Sequence, residues 1–167
     1  SRGPQRQMRS NASASESTKT NALSSFDSDG FTTGANNALN TNNETYVAWL
    51  WKALDHDRNL AAINNDGGNS TIVSVNEAAG FGIATGRIAA NGYTVTSGHG
   101  FEVKPELIIY KPITMSAHFY AYSEYGGSLL GTNNVIKLSD NDAASSDSLF
   151  NITNTTFVAG ATSTAHN

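Results

Sequence analysis

Cysteine is absent from this chain, which excludes disulfides and thiolate metal sites and leaves the redox compartment unreadable from thiol usage. Charge is scarce too. Charged residues make up 14%, with 10 basic against 14 acidic side chains and a net charge of −4. A nucleic-acid binder shows a basic face, and the only basic cluster here is Arg2, Arg6 and Arg9. Spread over a polar N-terminal stretch, these arginines read as a solvated tail or a contact to a neighbouring subunit, and no nucleic-acid partner is expected. No apolar run approaches the roughly 18 residues of a membrane span, so no membrane insertion is expected. The chain opens "SRGPQRQMRS", without Met or an apolar stretch. That is not a signal peptide, and a processed chain or part of something longer is expected.

What fills the composition is Asn, Ser, Thr, Gly and Ala, with 38% apolar residues over 167 positions. Such a chain cannot build long amphipathic helices. Thr, Tyr, Val and Ile favour strands, while Asn, Gly and Ser favour turns. The length suits one domain with a real core. The expected fold is all-β, an antiparallel β-sandwich or jelly roll at residues 21–167, preceded by an extended polar arm at 1–20.

Several segments alternate as strands. "ETYVAWLWKA" at 44–53 is the clearest, with Val47, Trp49 and Trp51 on one side and Tyr46, Ala48 and Leu50 on the other. Both sides are apolar, which predicts a central strand covered on both faces. Residues 54–70 read as a connection, with one or two helical turns between Asp55 and Ile63 ended by "NNDGG". Strands follow at 71–76, 80–89 and 93–97, with Asn91-Gly92 as a hairpin turn. "PELIIYK" (105–111) reads as a buried strand, and 116–123, 133–139 and two final segments complete the set. Short strands joined by Gly/Asn turns suggest a sandwich or jelly roll.

"SSFDSDGFTTGANN" (24–37) raises the question of metal. Asp27 and Asp29 resemble the start of a calcium loop, but such loops need further oxygen ligands, commonly a bidentate acid several residues on. After Gly30 no acid occurs until Glu44. The reading is a hairpin turn with Asp bonded to backbone, setting Phe26 and Phe31 as anchors. A similar unit recurs late in the chain, where Phe26 corresponds to Phe150, Phe31 to Phe157, Gly34 to Gly160, and Asn151 and Asn154 stand where Asp27 and Asp29 do. A repeated β unit follows.

Chemistry-bearing residues are few. His99 sits between glycines and reads as turn geometry; His56 reads as solvated and His166, next to the C-terminus, as frayed. No HExxH and no G-x-S-x-G elbow occurs. Glu102, Glu106 and Glu124 are acids with no sequence mark of pairing. No catalytic residue and no cofactor is expected. His118, Tyr120 and Tyr122 form an aromatic stripe whose ring faces and hydroxyl tips suit sugar stacking as well as burial. Sequons at Asn11, Asn43, Asn69, Asn151 and Asn154 follow from Asn/Thr richness.

"LSSFDSDGFTTG" followed by "NNETYVAWLWKA" resembles a module of structural proteins of marine tailed bacteriophages. Ala79-Gly80-Phe81, Gly98-His99-Gly100 and "PELIIYK" match further parts of it. The resemblance implies a concanavalin A-like jelly roll, a place on the virion surface in a capsid-decoration or tail-fibre role, and partners among other virion proteins and copies of itself. The alternative is a lectin-like module binding a host surface glycan. In that module the Phe-Gly unit and "YVAW" follow "GHG" and "P-x-L-I-I". The chain therefore reads as the end of one repeat (21–53), a linker (54–70) and the start of the next (71–167). The expectation is that residues 44–52 close the second half's sheet, within the chain or in a neighbouring copy, against Ile108 and Phe119.

Overall fold

The computed structural model describes residues 3–53, 58–60, 71–86, 94–123, 134–146, 150–154 and 156–160. All regular structure among them is β, and every strand pairing is antiparallel. Two small hairpins come first: β1 (Arg6–Gln7) with β2 (Ser17–Thr18), and β3 (Leu23–Phe26) with β4 (Phe31–Thr33). A three-stranded sheet joins β5 (Arg58–Leu60), β6 (Thr71–Asn76) and β7 (Phe81–Thr85). A second joins β8 (Thr94–Gly98) to β14 (Thr156–Gly160) and β13 (Phe150–Ile152). A four-stranded sheet runs β12 (Ser145–Ser146), β11 (Asn134–Lys137), β10 (Tyr120–Ser123), β9 (Leu107–Tyr110).

The core is small. Val73 and Val75 of β6 are buried, as are Ala22, Ala117, Tyr120, Val135 and Ile152. On β6 the alternation is clean: Val73 and Val75 point inward while Ile72 stays exposed. Gly100, at φ +81°, passes so close that a Cβ would lie 2.6 Å from Val75 Cγ2 and 2.9 Å from Val73 Cγ1. Only glycine combines that dihedral with that approach. In the four-stranded sheet, Tyr120 and Val135 form a buried pair flanked by Tyr110 and Tyr122. Burial raises the Tyr110 phenol above its usual range, and the neighbouring Tyr120 adds to this.

Four expectations change. Residues 44–53 form no strand, and Val47, Trp49 and Trp51 face water, because no strand among the described residues supplies backbone partners for the segment. Residues 58–60 are strand rather than helical turn, since Arg58 to Leu60 pair with Val73 to Thr71. "PELIIYK" is covered on one side only: Leu107 and Ile109 are 59% and 57% exposed. The N-terminal arm is not extended. It doubles back, Arg6 opposite Thr18, and then lies along its own chain, with Glu16 N–H donating to the Ile113 carbonyl (3.1 Å) and Ala117 N–H to the Ser13 carbonyl (2.7 Å). Lys111 Nζ locks that seam by donating to the Ser13 and Ala117 carbonyls. Its desolvation there lowers the ammonium pKa.

Candidate functional site

The stretch at 24–37 folds as a hairpin. Phe26 pairs with Phe31, and residues 27–30 form the turn, closed by Asp27 N–H to the Gly30 carbonyl at 2.9 Å. Both Asp27 carboxylate oxygens are engaged: Ser25 Oγ donates to one and Thr32 Oγ1 to the other, each at 2.8 Å. Asp29 is exposed. The carboxylate thus ties the two strands together through hydroxyls, and among the described residues no group of three acids or histidines converges on a common point. Phe26 is not an anchor, for its side chain is largely exposed. The tight point is Gly34, whose N–H reaches the Ala22 carbonyl at 2.6 Å; a Cβ there would sit 2.5 Å from the Asn21 carbonyl oxygen.

The late unit is a hairpin of the same build, shifted in register. Its closing pair is Ile152 with Phe157, not Phe150, which pairs with Ala159. Thr153 N–H donates to the Thr156 carbonyl at 2.8 Å, the counterpart of Asp27 to Gly30. Thr153 stands where Asp27 does, and its hydroxyl accepts from Thr156 N–H at 2.9 Å. Two extra residues between the phenylalanines produce the offset.

His99 belongs to this second hairpin's surroundings. Phe101 N–H donates to Nδ1 at 3.2 Å, so Nε2 carries the proton and donates it to the Thr153 carbonyl at 3.1 Å. The ring is buried and tilted against Phe101. Desolvation lowers its pKa, and the bond to Thr153 opposes that in part. With both nitrogens engaged and little access, His99 is a structural tie between the segment after β8 and the β13–β14 turn.

Of the aromatic stripe, Tyr120 is 5% exposed and lies in the core. Tyr122 packs beside it, and His118 stands before the strand, edge-on to Tyr120 at 6.1 Å. The stripe therefore presents no continuous row of ring faces. His118 instead meets Ser139, Nδ1 to Oγ 2.9 Å, and its Nε2 is 4.0 Å from Asp140 Oδ2. A triad-like base needs its second nitrogen held by a carboxylate within hydrogen-bond distance. At this spacing Asp140 offers only attraction to a protonated ring. The neighbouring Lys137–Asp142 pair at 2.7 Å raises the lysine and lowers the aspartate pKa through their shared hydrogen bond.

Arg6 bonds Thr18 Oγ1 (3.1 Å) and lies 3.7 Å from Glu16 Oε1, within its own hairpin, while Arg9 is exposed. Arg2, His56, His166, Glu124, Asn69 and the Asn91-Gly92 turn lie outside the described residues.

Residues 46–51, expected to be a covered strand, are exposed instead. Tyr46, Val47, Trp49, Leu50 and Trp51 are each 50–75% exposed. The segment is held at both ends. Thr41 N–H donates to Tyr46 Oη at 2.9 Å, the Thr41 side chain and then this backbone bond lower the phenol pKa, and Trp51 stacks on Phe81 with centroids 5.9 Å apart. Asn76 Nδ2 donates to the Lys52 carbonyl at 3.3 Å. Period-two apolarity predicts burial on both faces; it does not say what covers them.

No helix among the described residues is long and apolar enough to cross a membrane. No curated protein and no solved structure matches the chain. A family model described as a domain of unknown function (DUF7483) matches residues 1–167, and the chain belongs to that family.

Proposed function

We propose that the chain is a non-enzymatic structural protein of a phage virion surface, in the capsid-decoration or tail-fibre class. In this reading the small sheets belong to an antiparallel sandwich of the concanavalin A-like, jelly-roll kind, and the protein works through contacts with copies of itself and with neighbouring virion proteins. The observation that carries it is the apolar surface left in water: the held segment at 46–51 and the outer row Leu107, Ile109, Ile136 and Leu138. Monomeric proteins rarely leave contiguous apolar patches larger than about 300–600 Å² exposed, whereas an assembly subunit covers them with its neighbours. The sequence resemblance to phage structural modules supports the same reading. Quantitative mass spectrometry of purified particles tests it: a fixed ratio to the major capsid protein across preparations is expected, and absence from washed particles overturns it.

A lectin-like module is the second reading. Burial of Tyr120 weakens the stripe at 118–122 as its platform, while the exposed Trp49 and Trp51 rings are of the kind that stack on sugars. A saturable glycan-array signal lost in Trp49→Ala would favour it.

A further inference from the structure

We infer that residues 46–51 of one copy dock on the outer face of the four-stranded sheet of a second copy, in a head-to-tail contact. The inference rests on the reading of the chain as a self-associating subunit and names the surfaces involved.

The donor is a held loop, not a loose tail. Tyr46 is bonded to Thr41, and Trp51 and Lys52 are fixed on Phe81 and Asn76, so Val47, Trp49 and Leu50 project from a segment tied at both ends. A held loop loses less conformational entropy on docking than a free one. An exposed aromatic side chain offers about 150–250 Å². At their exposures Tyr46, Trp49 and Trp51 leave about 400 Å² in water, half of the roughly 800 Å² each partner contributes to a standard interface. Val47 and Leu50 add to it.

The acceptor follows from strand register. Ile109, Ala121 and Ile136 are paired across β9, β10 and β11, and Leu107 is paired with Ser123. Residues directly opposite share a face. Leu138 continues that row, bonded through its N–H to the Phe119 carbonyl at 2.9 Å. Tyr120, Tyr122 and Val135 occupy the other face, in the core. The outer face therefore carries Leu107, Ile109, Ile136 and Leu138, all 37% exposed or more. It is apolar, like the donor.

A second copy is the occupant because both complementary surfaces stand on one chain. The donor's anchors at Phe81 and Asn76 keep it at β6 and β7 of its own chain, so another copy supplies the sheet face. Two different patches meet, which makes the contact heterologous and open to chain growth rather than closed at a dimer.

The test uses the full chain with a donor-defective variant, Val47→Ser/Trp49→Ser, and an acceptor-defective one, Ile109→Thr/Leu107→Thr. Circular dichroism and melting first confirm that each folds; Ile109→Thr alone replaces the acceptor double variant if that one does not. Sedimentation velocity should show wild-type mass rising past the dimer with concentration. Each variant should associate at least tenfold more weakly. An equimolar mixture of the two should form a complex that stops at two chains, since only one productive contact remains. Wild-type association undiminished in both variants overturns this docking while leaving the self-associating subunit in place. A wild type that stays monomeric overturns both. A Trp emission shift seen only with phosphatidylglycerol vesicles or a bacterial polysaccharide, and not with protein concentration, overturns the docking in favour of a lipid or glycan partner.

Discussion

His99 Nε2 donates to the Thr153 carbonyl across 3.1 Å, joining the Gly-His-Gly turn after β8 to the hairpin turn between β13 and β14. The other nitrogen accepts from Phe101 N–H, so protonation of the ring breaks a bond that the neutral form makes. Burial lowers the folded-state pKa below the usual histidine value. Below about pH 6.5 the unfolded chain binds the proton more readily than the folded one. Stability is therefore full above that pH, falls as pH drops below it and levels off once the folded ring also protonates. Urea unfolding at pH 5.5 and 7.5 should show this loss, and His99→Gln should remove most of the His99-dependent part.

The Asp27 carboxylate accepts hydrogen bonds from the Ser25 and Thr32 hydroxyls and so ties the two strands of its hairpin. Asp27→Ala should cost about 1 kcal/mol, the worth of such exposed side-chain bonds. EDTA should leave the melting temperature of the wild type unchanged. A large drop on chelation, restored by calcium, would show that the acids hold a metal instead.

Gly34→Ala places a methyl against backbone, not against a flexible side chain, with the Asn21 carbonyl oxygen at 2.5 Å. Neither chain segment can yield without breaking the Gly34 N–H bond to the Ala22 carbonyl. The expected cost is about 1–3 kcal/mol, read by chemical denaturation. A change within 0.5 kcal/mol, taken as roughly the surface-substitution range, would show that this crossing relaxes freely.

Val73 is fully buried and Trp49 is 75% exposed. Val73→Ala should therefore cost about 2 kcal/mol through lost burial and the cavity left behind. Trp49→Ala, measured at a concentration where the protein is monomeric, should cost less than about 0.5 kcal/mol. The order reverses if Trp49 sits in a core of its own chain, as alternation alone predicts.

Composition and local pattern determined the β class, the position of most strands and the turn at 27–30, because these depend on near-neighbour preferences. Asp-Ser-Asp-Gly between two phenylalanines can scarcely do other than turn, and Phe26 opposite Phe31 follows from the turn's length. The late hairpin was legible as a hairpin but not in its register: with two more residues between its phenylalanines, only cross-strand hydrogen bonding decides that Ile152, not Phe150, faces Phe157. Tertiary structure alone decided which apolar alternation is covered. "LIIY" is half-buried because β10 and the Tyr120–Val135 pair lie on one side of it, and "YVAWLW" stays in water because, among the described residues, no strand comes alongside. The same holds for His99 and the N-terminal arm, whose partners at Thr153 and Ile113 are far away in sequence. Alternation states that a segment suits burial on given faces. What comes to cover those faces is a long-range contact, and no local preference encodes it.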